Sequence, residues 1–205
     1  MFQRECCIIV DKGGRELVEL YVPKLEEYMP DKAVFLARLR TRYRNVVAET
    51  DMLVRFNELF LEGLKVSKPI VHHAVFPVEE LPSSLVPRSF NGVKRVSLFL
   101  STLGKEIDEL VNSLLEENRT YDAAVIDAWA SEALEALNDA FDRKLRERFG
   151  KGTMRFSPGY GDVDIRWNRY IVELLRVGNV EVLDSGVMVP RKTTTCMIGW
   201  YDEEE

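Results

Sequence analysis

The chain of 205 residues is 46% hydrophobic and 30% charged, and 34 Asp and Glu against 28 Lys and Arg leave a formal charge of −6. That balance fits one globular domain with a core of its own, and it lacks the basic footprint of a nucleic-acid-binding surface. No apolar run is long enough to span a bilayer, and Met1 to Glu5 leads into only Cys6 to Val10, too short for a secretory signal; the cytoplasm is the expected compartment.

The elements follow in chain order. Cys6 to Val10 and Glu16 to Val22 flank Asp11-Lys12-Gly13-Gly14 and read as a β-hairpin, with a helix as the alternative for the second run. Asp31 to Leu39 reads as a short helix, and Met52, Leu53, Phe56, Leu59, Phe60 and Leu64 predict a longer one that starts after Thr50 or Asp51 and stops before Pro69. Between them Arg38, Arg40, Arg42 and Arg44 form a basic run beside Tyr43, most simply a solvated surface. Ile70 to Val78 and Val93 to Leu100 are strand-like. The second leads into a helix carrying Leu103, Ile107, Leu110, Val111, Leu114 and Leu115, with Ser101 or Thr102 as its cap. A long helix is predicted from Tyr121 to Phe149, its alanines permitting close packing and Asp127, Ser131 and Glu135 sharing one side. Asp164 is placed to cap a last helix ending at Gly178, and Val180 to Leu183, Val187 to Val189 and Thr193 to Trp200 close the chain as strands. Strands and helices come in blocks without βαβ alternation, which predicts a single α+β domain with a largely antiparallel twisted sheet and packed helices.

Metal chemistry finds little support. The cysteines are Cys6, Cys7 and Cys196, an odd number without framework spacing, and Cys6 and Cys7, like His72 and His73, are neighbours that a strand would send to opposite faces. Gly150-Lys151-Gly152-Thr153 lacks the earlier glycine and the hydroxyl of a phosphate loop. A conventional methyltransferase of the doubly wound class would need a glycine-rich strand-turn-helix opening, which is missing.

The most informative segment is Arg155-Phe156-Ser157-Pro158-Gly159-Tyr160-Gly161-Asp162. Arg155 can grip a carboxylate with two parallel hydrogen bonds, Pro158 fixes one dihedral, Gly159 and Gly161 tolerate positive φ and close approach, and Tyr160 offers a π face to a cation such as a sulfonium. The simpler reading is a Pro-Gly turn with a solvated arginine.

This segment, with Ser101-Thr102-Leu103-Gly104-Lys105-Glu106-Ile107 and Met188-Val189-Pro190-Arg191-Lys192-Thr193, resembles the activation domain of cobalamin-dependent methionine synthase, and more closely its short freestanding version. The fused enzymes carry Arg-Pro-Ala-Pro-Gly-Tyr, so Arg155, Pro158, Gly159 and Tyr160 match while Phe156 and Ser157 differ. The likeness runs from about Asp31 to Trp200, which sets residues 31–205 as the activation domain and residues 1–30 as an extension.

What the resemblance implies is S-adenosylmethionine as ligand and a methyl group offered to oxidised cobalamin on a partner methionine synthase. The reducing equivalent would come from a partner such as a flavodoxin or ferredoxin. By the same likeness Arg155 would hold the methionyl carboxylate and Glu135 the ammonium group, with the main chain around Phe156, Pro158 and Gly159 and the ring of Tyr160 as the cradle. An upstream acidic contact of the family has no assignable counterpart, leaving completion of the pocket by a partner as an alternative. No Asp-x-His-x-x-Gly segment is present, so the corrinoid would arrive on another protein. The role implied is an accessory subunit with little catalytic machinery of its own. The second reading is a non-catalytic S-adenosylmethionine-binding or bracing subunit for another corrinoid methyltransferase.

Overall fold

Why β4, Arg95–Thr102, shows no polar alternation is answered by its position: both faces of the sheet are covered, and every residue after Arg95 is buried. In this computed structural model residues 7–10, 16–40, 45 and 49–201 are described. The turn Asp11 to Gly14, Cys6, the Arg42-Tyr43-Arg44 part of the basic run and the acidic tail lie outside them.

Among the described residues the strands β1 (Cys7–Val10), β2 (Glu16–Tyr21), β3 (Ile70–Pro77), β4 and β7 (Thr193–Trp200) form one antiparallel sheet in the order β1-β2-β3-β4-β7. A separate pair, β5 (Glu181–Val182) and β6 (Met188–Val189), makes a short hairpin beside it. The helices are α1 (Leu25–Tyr28), α2 (Lys32–Arg38), α3 (Thr50–Val66), α4 (Glu106–Glu116), α5 (Thr120–Phe149) and α6 (Trp167–Leu174). The expected α+β architecture with a largely antiparallel sheet is the one observed.

The period of two along each strand sorts the core. Val71, Phe99, Cys196 and Ile198 face the helices α2 to α5, whereas Ala74, Leu98, Leu100 and Met197 face α6 and the loops around Leu85 and Phe90. Trp129 of α5 is fully buried in the first cluster. Burying side chains of this kind contributes roughly 1.5–3 kcal/mol each. Residues 16–28, from the segment expected to precede the domain, add β2 to the sheet by pairing with β3, and place Tyr28 in the helical core.

Local chemistry explains the helix starts. The Asp31 carboxylate accepts from the amides of Ala33 and Val34 at 2.8 and 3.1 Å, a side-chain cap for α2. Ser101 and Thr102 do not cap α4. They belong to β4, paired with Thr194 and Thr193, and the chain turns at Gly104 before the helix begins. Asp164 also stands one turn early: its carboxylate accepts from the Arg166 amide at 2.8 Å, and a tight turn precedes α6. That helix stops at Leu174, ahead of Arg176, whose φ of 52° ends the α conformation short of Gly178. Among the described residues no helix is long and apolar enough to cross a membrane.

Candidate ligand cleft

β7 is the edge strand of the sheet, and the conspicuous loop is stitched to it. Phe156 and Met197 exchange both main-chain hydrogen bonds, at 2.9 and 2.8 Å, and the Thr153 amide donates to the Gly199 carbonyl at 2.8 Å. Alternation along β7 turns the amide and carbonyl of Thr195 the same way as those of Met197, away from β4. An open cleft of about 280 Å³ lies there, lined by Glu135, Ser157, Pro158, Tyr160, Ile165, Asn168, Val187, Met188, Arg191 and Thr193 to Thr195. The volume is near the lower end of small-molecule sites, roughly 300 Å³.

The loop itself is a turn. Tyr160 donates its amide to the Ser157 carbonyl at 3.4 Å, with Pro158 first and Gly159 second between them, and Gly159 has φ of 94° as a type II turn requires. The Gly159 amide is spent on the Val163 carbonyl at 2.8 Å. Tyr160 is thereby held outward, 71% exposed, at the edge of the cleft.

The charges come from α5. Asp127, Ser131, Glu135 and Asp139 recur every fourth residue, one face of a helix, and two cations from different loops lie across them. Lys192 contacts the Asp127 carboxylate at 2.8 Å and the Ser131 hydroxyl at 2.9 Å. Arg155 reaches Glu135 with one terminal nitrogen at 3.0 Å and Asp139 with the other at 2.9 Å. The Lys192 side chain is 11% exposed and that of Arg155 21%, against 52% for Glu135 and 62% for Asp139. Burial works against the charge on Arg155, but the hydrogen bond to Asp139 and the negative charges of Asp139 and Glu135 outweigh it and raise its pKa.

Beneath the loop Cys196 lies fully buried with Ser157 Oγ 3.4 Å from its sulfur, and burial pushes the thiol up to about 11. Such a thiol stays neutral and inert. On the far wall Asn168 accepts from the Thr195 hydroxyl at 2.6 Å and donates to the Gly186 carbonyl at 2.9 Å, tying α6 to β7 and to the β5–β6 hairpin. Gly186 comes so close that an added Cβ would lie 2.8 Å from the Ile165 carbonyl carbon and oxygen.

Of the residues expected at a site, Glu135, Pro158 and Tyr160 line the cleft, and Gly159 forms the turn between the last two. Arg155 stands behind Glu135, bonded to it. Phe156 turns away, its ring 6.3 Å from that of Phe90 on the other side of the loop, with its amide and carbonyl committed to Met197. His72 and His73 are adjacent on β3 and both buried, and His73 is bound to Ser97 at 3.0 Å; the two cannot share an ion. Among the described residues no group of three metal-ligating side chains converges. Asn168, Thr194 and Thr195 carry no local signal in the sequence, whereas continuing the four-residue spacing of Asp127, Ser131 and Glu135 by one step reaches Asp139.

No protein-family model matches the chain, and no curated protein does. Among solved structures it is similar to the MetH reactivation domain bound to AdoHcy, with a TM-score of 0.65 and 16% identity over 92% of this chain and 79% of that one. The likeness defines the class of fold: a single α+β domain of the reactivation-domain type.

Proposed function

We propose that the cleft binds S-adenosylmethionine and that the protein presents its methyl group to a corrinoid carried by a partner. What carries the reading is one juxtaposition. Glu135 lines the cleft with Arg155 bonded to it at 3.0 Å from behind, and the Pro158–Tyr160 turn lines the same cleft, on a fold shared with a domain bound to AdoHcy. The two ends of an amino acid need one group of each sign, and Tyr160 offers its face to the sulfonium between them and the nucleoside.

The donor is already activated, so the residues of this chain need supply no base and no nucleophile. They bind, orient and leave the methyl group facing out of an open cleft. The transfer that this positioning would serve passes the methyl carbon from sulfur to the reduced cobalt of the corrinoid, which would supply the electron pair of the new bond while the sulfur keeps that of the old one and S-adenosylhomocysteine remains. The partner in this reading is the cobalamin-binding module of a cytoplasmic methionine synthase lacking its own reactivation domain, and the electron comes from a small reductant protein such as a flavodoxin or ferredoxin.

The test is reconstitution. The chain is mixed with such a synthase in its oxidised, inactive state, S-adenosylmethionine and a reductant, and methylcobalamin is followed by its absorption spectrum. Recovery of methylcobalamin that depends on the chain supports the reading. A folded chain that binds S-adenosylmethionine and restores nothing points to the non-catalytic alternative, and one that binds no S-adenosylmethionine removes the proposed function and leaves only a bracing role.

A further inference from the structure

Arg155 is held in an unusual way for a residue meant to receive a carboxylate. Each terminal nitrogen meets a different acid, Glu135 at 3.0 Å and Asp139 at 2.9 Å, so neither pair has the two-pronged geometry in which guanidinium and carboxylate bind best. The two acids differ in what a ligand offers them. Glu135 lines the cleft and, once released, can accept from an incoming ammonium group. Asp139 does not line it, and its side chain is 62% exposed. When a single ligand carboxylate takes both nitrogens of Arg155, Glu135 exchanges one cation for another, whereas Asp139 loses its partner and gains none.

Resting on the reading above, we propose that Asp139 is an internal competitor for Arg155, a specificity-determining residue that lowers the affinity of the cleft for ligands ending in an α-amino acid and leaves ligands without that end unaffected. The neighbouring cation shows the contrast. Lys192 is 11% exposed, is not among the residues lining the cleft and is bound to Asp127 and Ser131.

The test measures affinity by calorimetry at low ionic strength for S-adenosylhomocysteine and for 5′-methylthioadenosine, which lacks the amino acid end. Asp139→Asn should tighten S-adenosylhomocysteine about two- to five-fold, the range of a partly exposed ion pair, and leave methylthioadenosine unchanged. Asp139→Glu, which keeps the charge, should remain nearer the parent, and thermal unfolding confirms that both variants are folded. Unchanged affinity in Asp139→Asn, equal tightening of both nucleosides, or equal behaviour of the Asn and Glu variants overturns the inference while leaving the proposed function in place. Failure of the parent chain to bind S-adenosylhomocysteine overturns both.

Discussion

Lys192 and Arg155 occupy successive pairs of steps on one face of α5, Lys192 on Asp127 and Ser131, Arg155 on Glu135 and Asp139. The two cations come from the segment entering β7 and the loop stitched to its other end, so a single helix face positions both segments around the cleft. Their burial separates their tasks. Lys192 is enclosed and anchors; Arg155 lies between exposed acids and is exchangeable.

Removing Asp127 should therefore cost more than removing its partner. Asp127→Ala leaves a buried ammonium with only the Ser131 hydroxyl, an expected loss of about 1–3 kcal/mol in urea unfolding. Lys192→Met fills similar space without a charge and strands only a half-exposed carboxylate, for no more than about 1 kcal/mol. The reverse order would contradict the assignment of Lys192 as an anchor.

Two glycines set the cleft walls, and alanine should be costlier at the second. Gly159→Ala strains a residue with φ of 94° but meets only Ile165 side-chain atoms at 3.4 Å and beyond, an expected loss of about 1–2 kcal/mol. Gly186→Ala adds to a φ of 86° a Cβ 2.8 Å from the Ile165 main chain, which cannot yield without moving the β5–β6 hairpin. Thermal unfolding of the two variants checks the order.

The Cys196 thiol gives a pH dependence of definite sign. Burial raises it from an ordinary 9.0 to about 11, so the folded state holds the proton more tightly than the unfolded one. Its share of stability is complete below about pH 9 and is lost as pH rises through about 11. Relative to Cys196→Val, the chain should lose urea stability between pH 8 and pH 10.5. In a Cys6→Ser, Cys7→Ser background, iodoacetamide should label Cys196 at pH 8 only after unfolding.

Strong periodicity made the long elements legible. The run Ile107 to Leu115 and the alanine-rich Tyr121 to Phe149 segment are helices because their apolar residues recur on one face, and β3, β4 and β7 are dense in β-branched and aromatic residues. The boundaries were decided by tertiary partners that a local pattern does not contain. Ser101 and Thr102 have the chemistry of caps, yet their pairing with Thr194 and Thr193 holds them in a strand. At the cleft, Pro158, Gly159 and Tyr160 could be read as a turn because dihedral preference is local. Asn168 and the outward-facing edge of Thr195 could not, because their importance comes from meeting across 27 residues of chain. Arg155 was legible as a cation in search of an anion, but that two carboxylates already hold it follows only from the packing of its loop on α5.

The most direct measurement is a calorimetric titration of S-adenosylhomocysteine into the chain and into Arg155→Ala. The arginine's half-buried position predicts that the parent binds and that the variant loses about 1.5–3 kcal/mol, roughly 10- to 150-fold in Kd, with thermal unfolding changed only by the small cost of losing its contacts with two half-exposed carboxylates. Equal affinity in the two proteins, or no binding by the folded parent, would contradict the account.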